Sequence, residues 1–277
     1  MMQIATYGET RKILERYNLS PKNSLGQNFL IDAHVLQKII RIADITADDC
    51  VLEVGPGIGG LTQALLEFTG RLTVVEFDRK MVAILNDIFG EKLDIVQADI
   101  LKYSVPARIN KVVANLPYYI TTPTVMYLLE NYSFETITVM VQREVAERMT
   151  ASAGSKSYGA LSLAVQYHAN VTIAGYVPPN SFLPRPSVTS CIVHLAVLKK
   201  PIVNTDKAAL FANIKAGFAN RRKTLVNCLY SSGLYDFSKD ELAEILTYCG
   251  FSKDIRGEML TLEDWAKITE RLTTAYF

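Results

Sequence analysis

Cysteine and histidine are scarce in this chain, and neither falls into a pattern that would hold a metal. Cys50, Cys191, Cys228 and Cys249 lie far apart with no C-x-x-C pair, which argues against structural zinc and for a reducing compartment. His34, His168 and His194 are scattered, with nothing nearby to orient them, so a Ser-His-Asp device is not expected and each reads as structural or surface. Long apolar runs are missing too. None approaches the ~20 residues needed to cross a bilayer, and the start, from Met1 to Tyr17, is too polar for a secretory signal. A cytoplasmic protein with no metal and no membrane partner is the expectation. No repeat or low-complexity segment is visible.

What the chain does have is core-forming material: 277 residues, 49% of them hydrophobic, can bury a full α/β core and leave room for a second small domain. Val51-Leu52-Glu53-Val54 reads as a buried strand. Gly55-Pro56-Gly57-Ile58-Gly59-Gly60 follows at once and leads into a helical pattern at Leu61 to Leu66. Glycines at such a turn let the backbone approach a ligand closely, and the unpaired N–H groups of the helix start point into the same space. Gly55, Gly57 and Gly60 satisfy G-x-G-x-x-G, a spacing that suits NAD and S-adenosylmethionine equally.

Two further strand tips carry acids. Arg71 to Glu76 ends on a carboxylate about 20 residues past the first glycine, the distance expected for an acceptor of ribose hydroxyls. Leu93 to Gln97 runs into Asp99, which would lie near the adenine of such a ligand. Another apolar run, Lys111 to Ala114, ends in Asn115-Leu116-Pro117-Tyr118. An Asn carbonyl and the backbone carbonyls beside a proline can accept hydrogen bonds from an exocyclic amine, while a tyrosine face stacks on the base. The plain alternative is an Asx-Pro turn at a strand end.

Taken together these motifs resemble the S-adenosylmethionine-dependent adenine dimethyltransferases of ribosomal RNA, most closely the KsgA-type family of the small subunit. The resemblance runs over most of the chain: Gly26-Gln27-Asn28-Phe29-Leu30, Glu53 to Gly60, Glu76, Ala98-Asp99, Asn115 to Pro123, Gln142 to Arg148, and Phe182 to Val188. It departs at Thr121 and Ser187, where serine and often lysine are expected, and both swaps bear only on fine substrate contacts. The resemblance implies that Asn28, Leu30, Gly55, Glu76, Asp99 and Asn115 line the methyl-donor site, to which the glycine turn adds Gly57. It also implies that Asn115, Leu116, Tyr118 and Phe182 handle the target adenine. Phe182 sits between Pro178-Pro179 and Pro184-Arg185-Pro186, a stiffened loop suited to holding one ring against a base taken out of its stack.

The implied chemistry needs no general base. An adenine amine is a weak nucleophile because its lone pair is delocalised, so a site helps by accepting both N–H hydrogens and aiming the lone pair at the methyl carbon. The cationic sulfonium donor transfers its methyl in line, and the alkylated nitrogen then loses a proton to water.

A net charge of +1 hides a sorted distribution. Lys199 to Lys223 carries +6, whereas Thr224 to Phe277 carries −4. Arg221-Arg222-Lys223, which also resembles the family element, can track a phosphate backbone; a solvated helix face is the alternative. Arg143 and Arg148 are further RNA candidates, although Arg143 with Glu147 and Glu144 with Arg148 have the i,i+4 spacing that simply supports a helix. Arg11, Lys12, Arg16 and Lys22 offer a reserve basic set.

The pattern predicts an N-terminal helix over Glu9 to Tyr17 within a lead-in, 1–30, that closes over the donor. A Rossmann-like domain of the class I methyltransferase type, with a seven-stranded mostly parallel sheet, is expected over 31–198, and a helical RNA-binding domain over 199–277. Four functions remain open: a small-subunit (16S) dimethyltransferase, expected to act as a monomer on immature subunits; a large-subunit methyltransferase of the macrolide-resistance type; a nicotinamide dehydrogenase; and a non-enzymatic assembly factor.

Overall fold

The computed structural model describes residues 3–20 and 27–276, so Gly26 and Lys22 lie outside the described residues. Two compact units emerge, one comprising the residues up to Ala146 together with Ala169–Val197, the other comprising Glu147–His168 and everything from Leu198 on.

The first unit is built on strands that read as short apolar runs. β2 (Val51–Val54), β3 (Leu72–Glu76) and β5 (Lys111–Asn115) are buried almost throughout, as parallel strands covered by helices on both faces must be. With β4 (Asp94–Gln97), β6 (Thr136–Gln142), β7 (Ala169–Val177) and β9 (Ser190–Val197) they form a seven-stranded sheet in the order β4-β3-β2-β5-β6-β9-β7. Pairing is parallel from β4 to β6, and β9 runs antiparallel to both β6 and β7. Because β3 lies on one side of β2 and β5 on the other, the strand order reverses between β2 and β5. Ligands of such sheets bind at that reversal.

Helices α2 (Ala33–Ala43), α3 (Gly60–Leu65), α4 (Arg79–Phe89) and α5 (Thr121–Asn131) belong to this unit, and α6 (Arg143–Met149) follows β6 directly. Asp32 and Asp78 cap α2 and α4 through backbone N–H groups of the first turn. Leu36, Ile39 and Ile40 of α2 pack with Met140, Val177 and Ile192 of the sheet in the main core.

The lead-in is tied down by a contact that the sequence does not announce. β1 (Phe29–Leu30) pairs antiparallel with β8 (Phe182–Leu183), and Ser181 adds a side-chain bond to Asp32 at 2.8 Å. Helix α1 (Tyr7–Arg16) starts two residues before the expected Glu9 because Thr6 caps it, accepting from the Glu9 N–H. Its Ile13 and Leu14 share a second cluster with Phe29, Ile58 and Met81.

The second unit contains α7 (Ala160–His168), α8 (Lys207–Phe218), α9 (Leu225–Ser232), α10 (Lys239–Tyr248) and α11 (Leu262–Tyr276). Its core surrounds the fully buried Trp265. Gly217 and Gly257 leave the space the indole fills, since a Cβ at either would press on the ring. Residues 147–168, expected within the sheet domain, group here instead. Tyr158, Leu163 and Tyr167 join the Trp265 core, and the Tyr158 hydroxyl donates to the Leu260 carbonyl at 2.8 Å.

Candidate active site

The tips of β2, β3 and β5 and the lead-in enclose a cleft of about 400 Å³ within the first unit. Asn28, Leu30, Gly55, Gly57, Glu76, Asp99, Asn115, Leu116 and Tyr118 all line it, so one hollow brings together nine of the ten residues expected at donor and adenine. None of the three histidines lines it.

Gly55 and Gly57 have φ of 68° and 58°, the left-handed region that a Cβ disfavours. A side chain on Gly57 would also meet the Phe29 ring at 3.2 Å. The Gly57 N–H donates to the Glu76 carboxylate at 3.1 Å, and the Asp78 N–H donates to its other oxygen at 2.8 Å. Burial pushes the Glu76 carboxyl above its ordinary range, and the backbone N–H groups pull only partly against it. Such a group gains from extra donors, and vicinal hydroxyls supply two. Asp99 accepts from the Leu101 N–H at 3.0 Å and caps a short 3-10 turn beside the cleft.

Behind the glycine turn stands Glu53, which opens the family-like stretch to Gly60 and for which the sequence suggested no role. Glu53 is 1% exposed, lines the cleft, and accepts from the Thr62 hydroxyl at 2.6 Å. Burial pushes it up to about 8, the Thr62 bond opposes that, and the nearby Glu76 charge adds to it. A carboxylate inside an otherwise apolar strand was the available signal.

Asn115 ends β5 half-buried. Its side-chain nitrogen donates to the Asn28 carbonyl at 3.2 Å, which leaves Oδ1 as the acceptor for a ligand. The Pro117 carbonyl is already used, accepting from the Ile120 N–H and the Thr121 hydroxyl, each at 3.2 Å. The Leu116 carbonyl has no partner among the described residues, while the Leu116 side chain is buried and anchors the turn. Tyr118 is half-buried, its hydroxyl 2.8 Å from that of Ser190, and burial raises its pKa. The ring is therefore held from both ends.

Phe182 departs from expectation. Its ring is 3% exposed, packs with Leu30, Met140, Val177 and Ile192, and does not line the cleft. The cause is register: pairing with Leu30 across the two-stranded sheet turns the side chain into the core. Two exposed rings do line the cleft, Phe77 at 66% and Tyr119 at 57%.

The basic candidates divide. In the second unit, Arg221 makes two bonds to Glu258, at 2.9 and 2.7 Å, and a third to the Lys156 carbonyl at 3.1 Å, so it braces that unit. Arg222 and Lys223 are exposed, as is Arg148. In the first unit the Arg143 guanidinium lies over the Tyr176 ring, 5.7 Å from its centroid. His194 bonds the Thr138 hydroxyl at 2.9 Å and its pKa is lowered by burial and by Lys111; His168 is pushed down to about 4 by burial and by Lys207. Among the described residues no group of three or more His, Cys, Asp or Glu could hold a metal, the cysteines are free thiols, and no helix is long and apolar enough to cross a membrane.

A seven-stranded sheet with this order, an acid at the tip of β3 and an Asn-Leu-Pro-Tyr turn at the tip of β5 define a class I S-adenosylmethionine-dependent methyltransferase. Residues 18–271 match the ribosomal RNA adenine dimethylase family, and the chain belongs to it. It is 46% identical, over 95% of each chain, to the ribosomal RNA small subunit methyltransferase A of Lachnoclostridium phytofermentans. Among solved structures it is similar to a dimethyladenosine transferase from Plasmodium falciparum, with a TM-score of 0.78 and 26% identity over 90% of this chain and 99% of that one. It is also similar to the 23S rRNA methyltransferase ErmE, with a TM-score of 0.70 and 25% identity over 89% and 100%.

Proposed function

We propose that this enzyme transfers methyl groups from S-adenosylmethionine to the N6 amines of two adjacent adenosines in a hairpin near the 3′ end of small-subunit (16S) ribosomal RNA, giving N6,N6-dimethyladenosine during ribosome biogenesis. The observation that carries this reading is the pair of acceptors on consecutive residues, Asn115 Oδ1 and the Leu116 carbonyl, that have no donor among the described residues, beside the fixed ring of Tyr118. Two acceptors match the two hydrogens of an exocyclic amine. Accepting both weakens the delocalisation of the nitrogen lone pair, and the tyrosine face holds the base in the orientation required for attack.

The donor supplies an activated methyl on a cationic sulfur. The residues present fit it: Glu76 would accept the ribose hydroxyls, Asp99 would face the adenine, Gly55 and Gly57 leave the backbone bare for close approach, and Asn28 and Leu30 close the cleft from the lead-in. Arg222, Lys223, Arg143 and Arg148 would hold phosphates, with Arg221 holding its loop in place. A small-subunit substrate is consistent with action in the cytoplasm, and no step requires a second copy of the chain.

The relative named for the small ribosomal subunit is 46% identical, and the 23S methyltransferase is 25% identical, which favours the small subunit over the large one. A nicotinamide dehydrogenase would leave the Asn115 to Tyr118 acceptors without purpose, and an assembly factor alone would not need them. The test is transfer of labelled methyl from S-adenosylmethionine to purified small-subunit and large-subunit RNA from cells lacking this protein. Label in small-subunit adenosine is expected; label confined to large-subunit RNA, or none in either, would overturn the reading.

A further inference from the structure

We infer that Tyr176, with Arg143 and Lys38, forms a second RNA contact outside the catalytic cleft, where a base flanking the target stacks on the tyrosine ring and the two cations hold neighbouring phosphates. The inference rests on the RNA-methylating reading above and adds Tyr176 and Lys38 to the Arg143 that reading already uses.

β7 is the edge strand of the sheet and is interrupted by a bulge. Ile173 pairs with Val193 and Gly175 with Ile192, so Ala174 is an extra residue and everything after it changes face. Without the bulge the ring of residue 176 would turn to the side covered by α2. With it, Tyr176 shares a face with Cys191 and Val141 and meets the Arg143 guanidinium at 5.7 Å. Tyr176 is nevertheless 58% exposed, which leaves much of the residue open to a ligand.

Gly175 serves the other side of the strand. It lacks the Cβ that would overlap the Lys38 ammonium, so this exposed lysine crosses the strand directly behind the tyrosine. The end of β7 therefore carries a cation on each face and an aromatic ring at its tip.

Position links this cluster to catalysis. Val177 and Gln142 both pair with Ser190, and the Ser190 hydroxyl is the one that meets the Tyr118 hydroxyl. Tyr176 and Arg143 are the immediate neighbours of Val177 and Gln142, at the same carboxyl end of the sheet as Asn115. A ring flanked by cations is the chemistry that single-stranded nucleic acid selects: the π-face takes any base and the charges follow the backbone.

The experiment compares wild type, Tyr176→Ala and Tyr176→Phe in steady-state methylation of small-subunit RNA, with donor affinity measured separately. Tyr176→Ala is expected to raise KM for RNA by about 5-fold or more, the lower end of what removing one base stack costs, with kcat and donor affinity unchanged. Tyr176→Phe is expected to retain the wild-type KM. A wild-type KM in Tyr176→Ala, or an equal rise in Tyr176→Phe, would overturn stacking on this ring. Photocrosslinking of the wild-type complex with RNA bearing 5-bromouridine beside the target tests the contact without any variant. A crosslinked peptide containing Tyr176 is expected, and crosslinks that avoid 170–177 would overturn the proposal. Failure of the wild type to methylate either RNA would count against the functional reading alone, and the crosslink would still decide the platform.

Discussion

The side-chain nitrogen of Asn115 donates to the backbone carbonyl of Asn28, 87 residues earlier in the chain and 3.2 Å away. This bond fixes which end of the amide faces a ligand, and it makes the lead-in part of the acceptor geometry. Because β1 is in turn paired with β8, the orientation of this amide depends on three separated pieces of chain.

Asn115→Ala is therefore expected to lower kcat by about 10²-fold or more while RNA affinity stays within about twofold, because the amide aligns one amine and adds little to a phosphate-dominated interface. Asn115→Asp should be nearly as damaging, since a carboxylate oxygen would oppose the Asn28 carbonyl. Single-turnover rates at saturating donor and RNA check this. Substantial turnover in Asn115→Ala would remove the amide from the mechanism.

Glu53 makes stability depend on pH. Its folded pKa, about 8, lies above the ordinary 4.5, so the folded state holds a proton that the unfolded chain releases. That contribution is fully present below pH 4.5 and is lost as pH rises through about 8, at up to about 1.4 kcal/mol per unit. The melting temperature of the ligand-free protein should fall between pH 6 and 9. Glu53→Gln, which can keep the Thr62 bond, should flatten the fall and be the more stable form at pH 9. Parallel melting curves would show Glu53 ionised at no cost.

Arg221 and its two neighbours should behave differently. Arg222→Ala with Lys223→Ala is expected to lower the slope of log affinity for RNA against log salt by about 0.7–0.9 for each phosphate that is no longer neutralised, with the melting temperature unchanged. Arg221→Ala should instead lower the melting temperature, because Glu258 and the Lys156 carbonyl would be left without their donor. Salt titrations and melting curves on the same variants separate the two roles.

Phe182→Ala should destabilise the fold by about 3–5 kcal/mol, the cost of emptying a packed aromatic site. Phe182→Leu should fold with lower stability and keep a near-wild-type kcat. A folded, stable Phe182→Leu without turnover would return the ring to the adenine.

Glu76 and Asn115 were legible because each is the polar end of a buried apolar run, and Asp99, just past the partly exposed β4, was placed by the order of the three strands. Phe182 was not legible. Strands of two residues carry no alternation, so nothing local shows that Leu30 lies opposite it or which face it takes. Arg221 reads as a free cation for a similar reason, since its partners lie 37 and 65 residues away. The grouping of 147–168 with the second unit depends on Tyr158, Leu163 and Tyr167 meeting the Trp265 core, contacts between residues about 100 apart. In each case the missing information was tertiary.

Most directly at stake is whether this site dimethylates two neighbouring adenosines of small-subunit RNA. The direct measurement is mass spectrometry of nuclease fragments from unmodified small-subunit RNA incubated with the protein and methyl-deuterated S-adenosylmethionine. Two deuterated methyl groups on each of two adjacent adenosines in one 3′-proximal fragment are the expected result. Label on a single isolated adenosine, on another base, or on no fragment would contradict that activity.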